Sequence, residues 1–183
     1  EHVHVEKAYA GDIIGLFDPN IYRLGDTLSE VGDDLKFQDI PVFPPEHFRR
    51  VYAKNSLKRK QFLQGLEQLS QEGTIQLYKE PHIGTETFCV GVVGVLQFDV
   101  LEHRLKEEYN VDVVLEPLPY HLARWVRFDD DAEQKNPERL TVTSTTLLVE
   151  DRDGAPVLLF EAPWTVDWAL EHNEGLQLLG INA

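Results

Sequence analysis

Seven histidines, one cysteine and a handful of clustered carboxylates are the residues of this sequence whose types could do chemistry. Two Asp-x-x-Gly tetrapeptides, Asp12–Gly15 and Asp151–Gly154, have a spacing found in nucleotide sites. Such a site also needs a Gly-x-x-x-x-Gly-Lys-Ser/Thr loop, whose backbone amides and lysine neutralise the phosphates. That loop does not occur, and both tetrapeptides read as turns. His2-x-His4 beside Glu6 offers weak metal-binding chemistry, but the pattern reads more simply as one face of a strand. Asp129, Asp131 and Glu133 follow the odd positions of a calcium loop, yet Gln134 stands where the turn glycine belongs and Leu140 where the bidentate glutamate belongs. Cys89 sits in an apolar run without a basic neighbour, which reads as an inert core thiol. These residues therefore predict no catalytic group, no metal site and no cofactor site.

Charge gives a stronger signal. Between positions 49 and 60 lie Arg49, Arg50, Lys54, Lys58, Arg59 and Lys60, with no acidic residue among them. The whole chain carries 17 basic and 32 acidic residues, a formal charge of −15. Such a surface repels bare nucleic acid and anionic membranes, so a globally basic DNA-binding protein is excluded. The basic run is a local reversal of sign. It is placed at the start of an expected helix, where cations oppose the macrodipole. A run that costs local stability reads as a docking surface for an acidic partner.

The elements that must position these residues fall into two parts. Residues 1–36 read as strand, turn and strand, with Ala10-Gly11-Asp12 turning into Ile13-Ile14-Gly15-Leu16 and a second turn at Leu24–Leu28. A few strands cannot manage their own edges, so this part is expected to be the last strands of a β-barrel. With no methionine anywhere in the sequence, the chain is expected to be a fragment of a longer one. One cysteine allows no internal disulfide, and a reducing, cytoplasmic setting is the expectation. No apolar run reaches membrane-spanning length.

From residue 37 the texture changes. A strand is expected near Phe48–Tyr52, then a helix over 57–71 capped by Ser56 with Leu63, Leu66 and Leu69 on one face, then a strand from Ile75. The apolar run Phe88–Val93 predicts a central strand. A second helix over 95–109 is expected to bury Leu96, Val100, Leu101, Leu105 and Tyr109. Strands follow at Val111–Leu115 and Ala123–Val126. The order β-α-β-β-α-β is the split ferredoxin-like pattern. Asp153-Gly154 predicts a hairpin, and a short helix is expected in the last twenty residues. The fold class is thus α+β, over residues 37–183, with a ferredoxin-like core and a C-terminal hairpin extension. No internal repeat is visible in the sequence.

The run Gly91–Asp99 resembles a loop of acylphosphatases, in which glycine-rich amides and an arginine hold an acyl phosphate. Here the spacing is one residue short and Asp99 occupies the arginine's place, so close packing of strand and helix is the simpler reading. Longer blocks point elsewhere. Ala8–Leu16 with Leu24–Leu28, Pro44–Val51, Lys58–Gly73, Val90–Val100, Arg104–Val111 and Ala123–Val126 together resemble the bacterial peptide chain release factor 3 family of translational GTPases. The resemblance implies a ribosome-dependent GTPase of translation termination that promotes release of the codon-reading release factors. It implies that residues 1–36 close the barrel domain and that residues 37–183 form the last domain. It places GTP and Mg in a GTPase domain upstream, so that this fragment is expected not to hydrolyse nucleotide. Partners implied are the small ribosomal subunit, its RNA and protein, and the factor's own GTPase domain, with no membrane and no DNA. Arg49, Arg50, Lys54, Lys58, Arg59 and Lys60 are chosen as ribosome contacts on charge alone. The alternatives from the residues are an acyl-phosphate hydrolase and a purely intramolecular scaffold.

Overall fold

A computed structural model describes residues 4–17, 21–22, 25–30, 35, 37, 43–81 and 87–180. The chain divides into two compact units, Glu1–Asp39 and Ile40–Ala183.

In the first unit the described residues form no strand and no helix. The turn at Ala10-Gly11 does form: Asp12 N–H donates to the Tyr9 carbonyl at 3.0 Å, and Tyr9 N–H donates to the Asp12 carboxylate at 2.8 Å. Gly11 takes a left-handed φ of 97° there. A strand needs a ladder partner for its backbone groups, and among the described residues none pairs with residues 4–17. Val5, Ile13, Leu16 and Phe17 stay exposed. His2 of the His-x-His pair and Leu24 of the second turn lie outside the described residues.

The second unit begins with β1 (His47–Ala53), α1 (Arg59–Gln71), β2 (Gln76–Tyr78), β3 (Thr87–Val92), α2 (Leu96–Tyr109) and β4 (Val113–Leu118). The strands form an antiparallel sheet in the order β2-β3-β1-β4. Strands β1 and β2 are thus parallel with β3 between them, which is the split β-α-β arrangement of a ferredoxin-like sheet. Alternation along the strands sends Val51, Leu77, Phe88, Val90, Val92 and Val113 to one face, where Phe62, Leu66, Leu69, Phe98, Leu101 and Leu105 of the helices cover them. Asn55 rather than Ser56 starts the first helical segment, its side chain accepting from Leu57 N–H at 3.0 Å in a 3-10 turn, Ser56–Lys58, that leads into α1. Gly73, at φ 72°, ends it. Arg104 of α2 grips Glu72 at the end of α1 and Glu108 one turn on, holding both carboxyls below their usual range.

Strand Ala123–Val126 is longer than expected and belongs to a second sheet. This sheet consists of β5 (Leu122–Phe128), β6 (Leu147–Glu150), β7 (Pro156–Phe160) and β8 (Leu176–Leu179), in the order β6-β7-β5-β8, with α3 (Pro163–Glu171) joining β7 to β8. The expected hairpin is present as β6–β7, with Asp151 accepting from Asp153 N–H at 3.0 Å and Ala155 N–H at 2.8 Å, and Gly154 at φ 83°. It is not an appendage, since β7 pairs with β5 and lies inside the sheet. Both sheets have one topology. Strands β5, β6, β7 and β8 stand in order as β1, β2, β3 and β4 do, and α3 stands as α2 does. The counterpart of α1 is the connection 129–146, which holds only a 3-10 turn, Pro137–Arg139.

The sheets stack face to face. Phe48, Tyr78 and Cys89 from the first meet Ala123, Trp125, Val149, Val157 and Leu159 from the second. Helix α3, with Leu140 and Val142, covers the outer face of the second sheet. The unit is therefore four-layered, helix on sheet on sheet on helix. No helix among the described residues is long and apolar enough to cross a membrane.

Candidate docking surface

The six basic residues do not share one surface, because consecutive strand residues point to opposite faces. Arg49 lies on the helix-covered face of β1, its guanidinium carbon 4.4 Å from the centroid of the Phe98 ring. Arg50 lies on the other face and donates twice to one oxygen of Glu80, at 2.8 and 3.1 Å. The Glu80 side chain is only 8% exposed. The charge-assisted bond to Glu80 raises the Arg50 pKa further above its already high ordinary value, against the opposing effect of burial. These two arginines serve the packing of the fold.

Lys54, Lys58, Arg59 and Lys60 lie at the far end of β1 and the start of α1, all at least partly exposed. Lys54 N–H donates to the Asp112 carbonyl at 2.9 Å. The Lys58 ammonium donates to the carbonyl of Asn110, the residue that ends α2 in a left-handed conformation at φ 55°. The N-terminus of α1 thus meets the C-terminus of α2. That eases the apparent conflict in the sequence at Lys58, whose ammonium lies against the negative end of the second helix dipole and closes an otherwise unsatisfied carbonyl. The result is a corner at one end of the helix layer that carries Lys54, Lys58, Arg59 and Lys60, with Asp112 beside them in an ion pair with Lys106 at 3.7 Å.

Two amides of the glycine run are held within the loop itself. Gln97, in the first turn of α2, accepts from Val93 N–H at 3.0 Å and Gly94 N–H at 2.9 Å through its side-chain oxygen. Its amide nitrogen donates to the Thr74 carbonyl at 2.8 Å. These two amides are thus not open to a phosphate, and Asp99 rather than an arginine stands in the first turn of α2. A Cβ at Gly91 would meet Pro45 at 2.9 Å, so that glycine permits close packing.

The buried thiol of Cys89 is pushed well above its usual range by desolvation. A polar hollow of about 510 Å³ lies beside the 129–134 segment, lined by Asp129, Asp131, Glu133, Arg139, His172 and Glu174 among others. Asp129 is already engaged by the Gln177 side chain. No group of three or more metal-ligating side chains gathers among the described residues.

Two surfaces were not legible in the sequence. Leu96 and Val100, expected in the buried stripe of α2, point to solvent with Val93 and Val95, while Phe98, Leu101 and Leu105 hold the core face. On α3, Trp164 is 61% exposed.

The family described as "Class II release factor RF3, C-terminal domain" matches residues 37–170. The chain is 48% identical over 172 residues to a peptide chain release factor 3 from Symbiobacterium thermophilum, covering 94% of this chain and 31% of the relative. It is 44% identical over 177 residues to one from Listeria monocytogenes, covering 97% of this chain and 32% of the relative. A Staphylococcus carnosus counterpart is 46% identical over 177 residues, with 97% and 33% covered. The chain thus spans about a third of the length of these curated relatives.

Proposed function

Because the chain belongs to the class II release factor RF3 family, we propose that it acts in translation termination by docking to the ribosome and coupling a nucleotide-dependent part of the factor to it. The observation that carries this reading is the basic corner of Lys54, Lys58, Arg59 and Lys60, gathered where α1 and α2 meet by the bond from Lys58 to Asn110. In a chain at −15, four exposed or half-exposed cations close in sequence, with Asp112 beside them paired to Lys106, favour a polyanion, and lysines and arginines on phosphates give position without sequence reading. The partner is the small ribosomal subunit, its RNA foremost. The role is mechanical: a four-layer body transmits a shift as a unit and thereby helps the codon-reading release factors leave. GTP and Mg belong in this reading to the part of the relatives beyond the third that this chain spans, and the glycine loop that opens α2 has its Val93 and Gly94 amides held by Gln97. The bare apolar end of α2, at Val93, Val95, Leu96 and Val100, supports a contact with that nucleotide-dependent part, because such a patch on a lone unit calls for a partner. The segment 1–36, with its exposed apolar residues, fits the closing strands of a barrel domain. The setting is cytoplasmic.

The test is co-sedimentation with ribosomes across a salt series, beside a variant with Lys54, Lys58, Arg59 and Lys60 changed to glutamine. Arg50 is left alone, because its loss would strand the nearly buried Glu80 carboxylate. Binding should fall with salt, and each lost phosphate contact should lower the log–log slope by about one. Binding that the variant retains at every salt would place docking elsewhere.

A further inference from the structure

We propose that the outer side of α3 is a second docking surface, and that it takes an arginine-rich protein segment. Trp164, Trp168 and His172 recur at four-residue spacing and so form one ridge along the helix and just beyond its end. Trp168 and His172 stack with ring centroids 3.9 Å apart and an interplanar angle of 15°, and the His172 ring nitrogen Nδ1 lies 2.8 Å from the Trp168 carbonyl oxygen. This contact fixes the end of the ridge, while Thr165 and Ala169, on the other side of the helix, are buried. A large indole left mostly in water is the residue type that anchors interfaces.

Charge selects the partner. After Arg152 the chain has no lysine or arginine at all, whereas Asp153, Glu161, Asp167, Glu171 and Glu174 are acidic. Asp167 and Glu171 lie on α3 itself, are exposed, and take part in no ion pair among the described residues. Arg139 lines the hollow beside His172 and Glu174, so the acidic character that disfavours a phosphate backbone or an anionic membrane is that of α3 itself, at Asp167 and Glu171. A guanidinium suits both halves of it, stacking on the indole face while its fork of donors meets the carboxylates. An ammonium is a hydrated point charge and stacks less well, so arginine is favoured over lysine. The ridge belongs to the outer layer of the second sheet, whereas the basic corner belongs to the outer layer of the first. The two surfaces thus accept partners of opposite sign and are independent of one another.

The probe is an octapeptide of alternating arginine and glycine, titrated into the 183-residue chain by calorimetry, beside the same peptide with lysine. Wild type should bind the arginine peptide several-fold tighter than the lysine peptide. Trp164→Ala should weaken arginine-peptide binding by about five-fold, as loss of a cation–π contact does. D167N/E171Q should weaken it comparably. The charge-matched control E102Q/E107Q, on the exposed side of α2, should stay within about two-fold of wild type. Equal binding of both peptides would overturn the proposal, as would an unaffected Trp164→Ala, an equally weakened control, or no binding by wild type. Tighter binding of a single-stranded uridine dodecamer, lost in Trp164→Ala, would assign the ridge to nucleic acid and overturn it too. Ribosome co-sedimentation does not enter these readouts, so the two docking readings stand or fall separately.

Discussion

Gly91 and Gly94 stand three residues apart in one glycine-rich run and do different work. Gly91 lies in β3 on the face toward the second sheet, where a Cβ would come within 2.9 Å of the Pro45 ring and 3.0 Å of Phe48. A pyrrolidine ring cannot swing aside, so the strand or Pro45 must shift. Gly94 has no heavy atom within 4 Å of its would-be Cβ, and its φ is not left-handed. Gly91→Ala should therefore cost about 1–3 kcal/mol of stability, whereas Gly94→Ala should change it by no more than about 0.5 kcal/mol. Urea denaturation of the two variants beside wild type decides the point. Equal effects would mean that the loop and not the sheet contact sets the need for glycine. The sequence reading of this run as a packing device was sound in kind. It could not see that only one of the two glycines packs, because the opposing atom comes from Pro45, in a segment remote in sequence.

At the scale of elements, the order of strands and helices through residue 118 was legible because each has its own period and its own stop signals. What resisted was the phase of α2. Apolar residues stand at Leu96 and Val100 as well as at Phe98, Leu101 and Leu105, so two stripes compete and the sequence cannot rank them. Gln97 settles the phase: by holding Val93 and Gly94 on one side and Thr74 on the other, it turns Phe98 toward the core. The consequence is testable. Leu96→Ser with Val100→Ser should leave the thermal midpoint within a few degrees of wild type, since both side chains are exposed. Phe98→Ala, at 1% exposure, should cost about 3–5 kcal/mol. The opposite ranking would return Leu96 and Val100 to the core. The basic run is divided between surfaces for a related reason. Charge counts along a chain ignore the alternation of a strand, and Arg49 and Arg50 end on opposite faces of β1 with different partners.

The whole second unit repeats one topology in two sheets, and the repeat is invisible in the sequence because topology is fixed by pairing, not by residue identity. In the second sheet the connection 129–146 stands where α1 stands in the first and holds only a 3-10 turn, so no helical signal marks the repeat in the sequence. The two halves are then fastened at several places. Lys79 and Glu150 exchange both backbone hydrogen bonds at 2.8 Å, joining the edge strand of one sheet to that of the other. Arg152 reaches Glu67 of α1 at 3.2 Å. Trp125 donates to Asp151 at 2.8 Å beneath the shared core. That core draws Phe48, Tyr78 and Cys89 from one sheet and Trp125, Val149, Val157 and Leu159 from the other, so neither sheet can bury its inner face alone. The halves should therefore unfold together. In a Trp164→Phe, Trp168→Phe background, Trp125 is the remaining indole and reports on the second sheet, while the buried Cys89 thiol reports on the first by its reactivity toward a thiol reagent. Across a urea titration the two signals should share one midpoint and one slope, as a single cooperative transition requires. Cys89 becoming reactive at lower urea than the Trp125 signal changes would show two separately stable halves, and would remove the rigid body through which the proposed coupling passes.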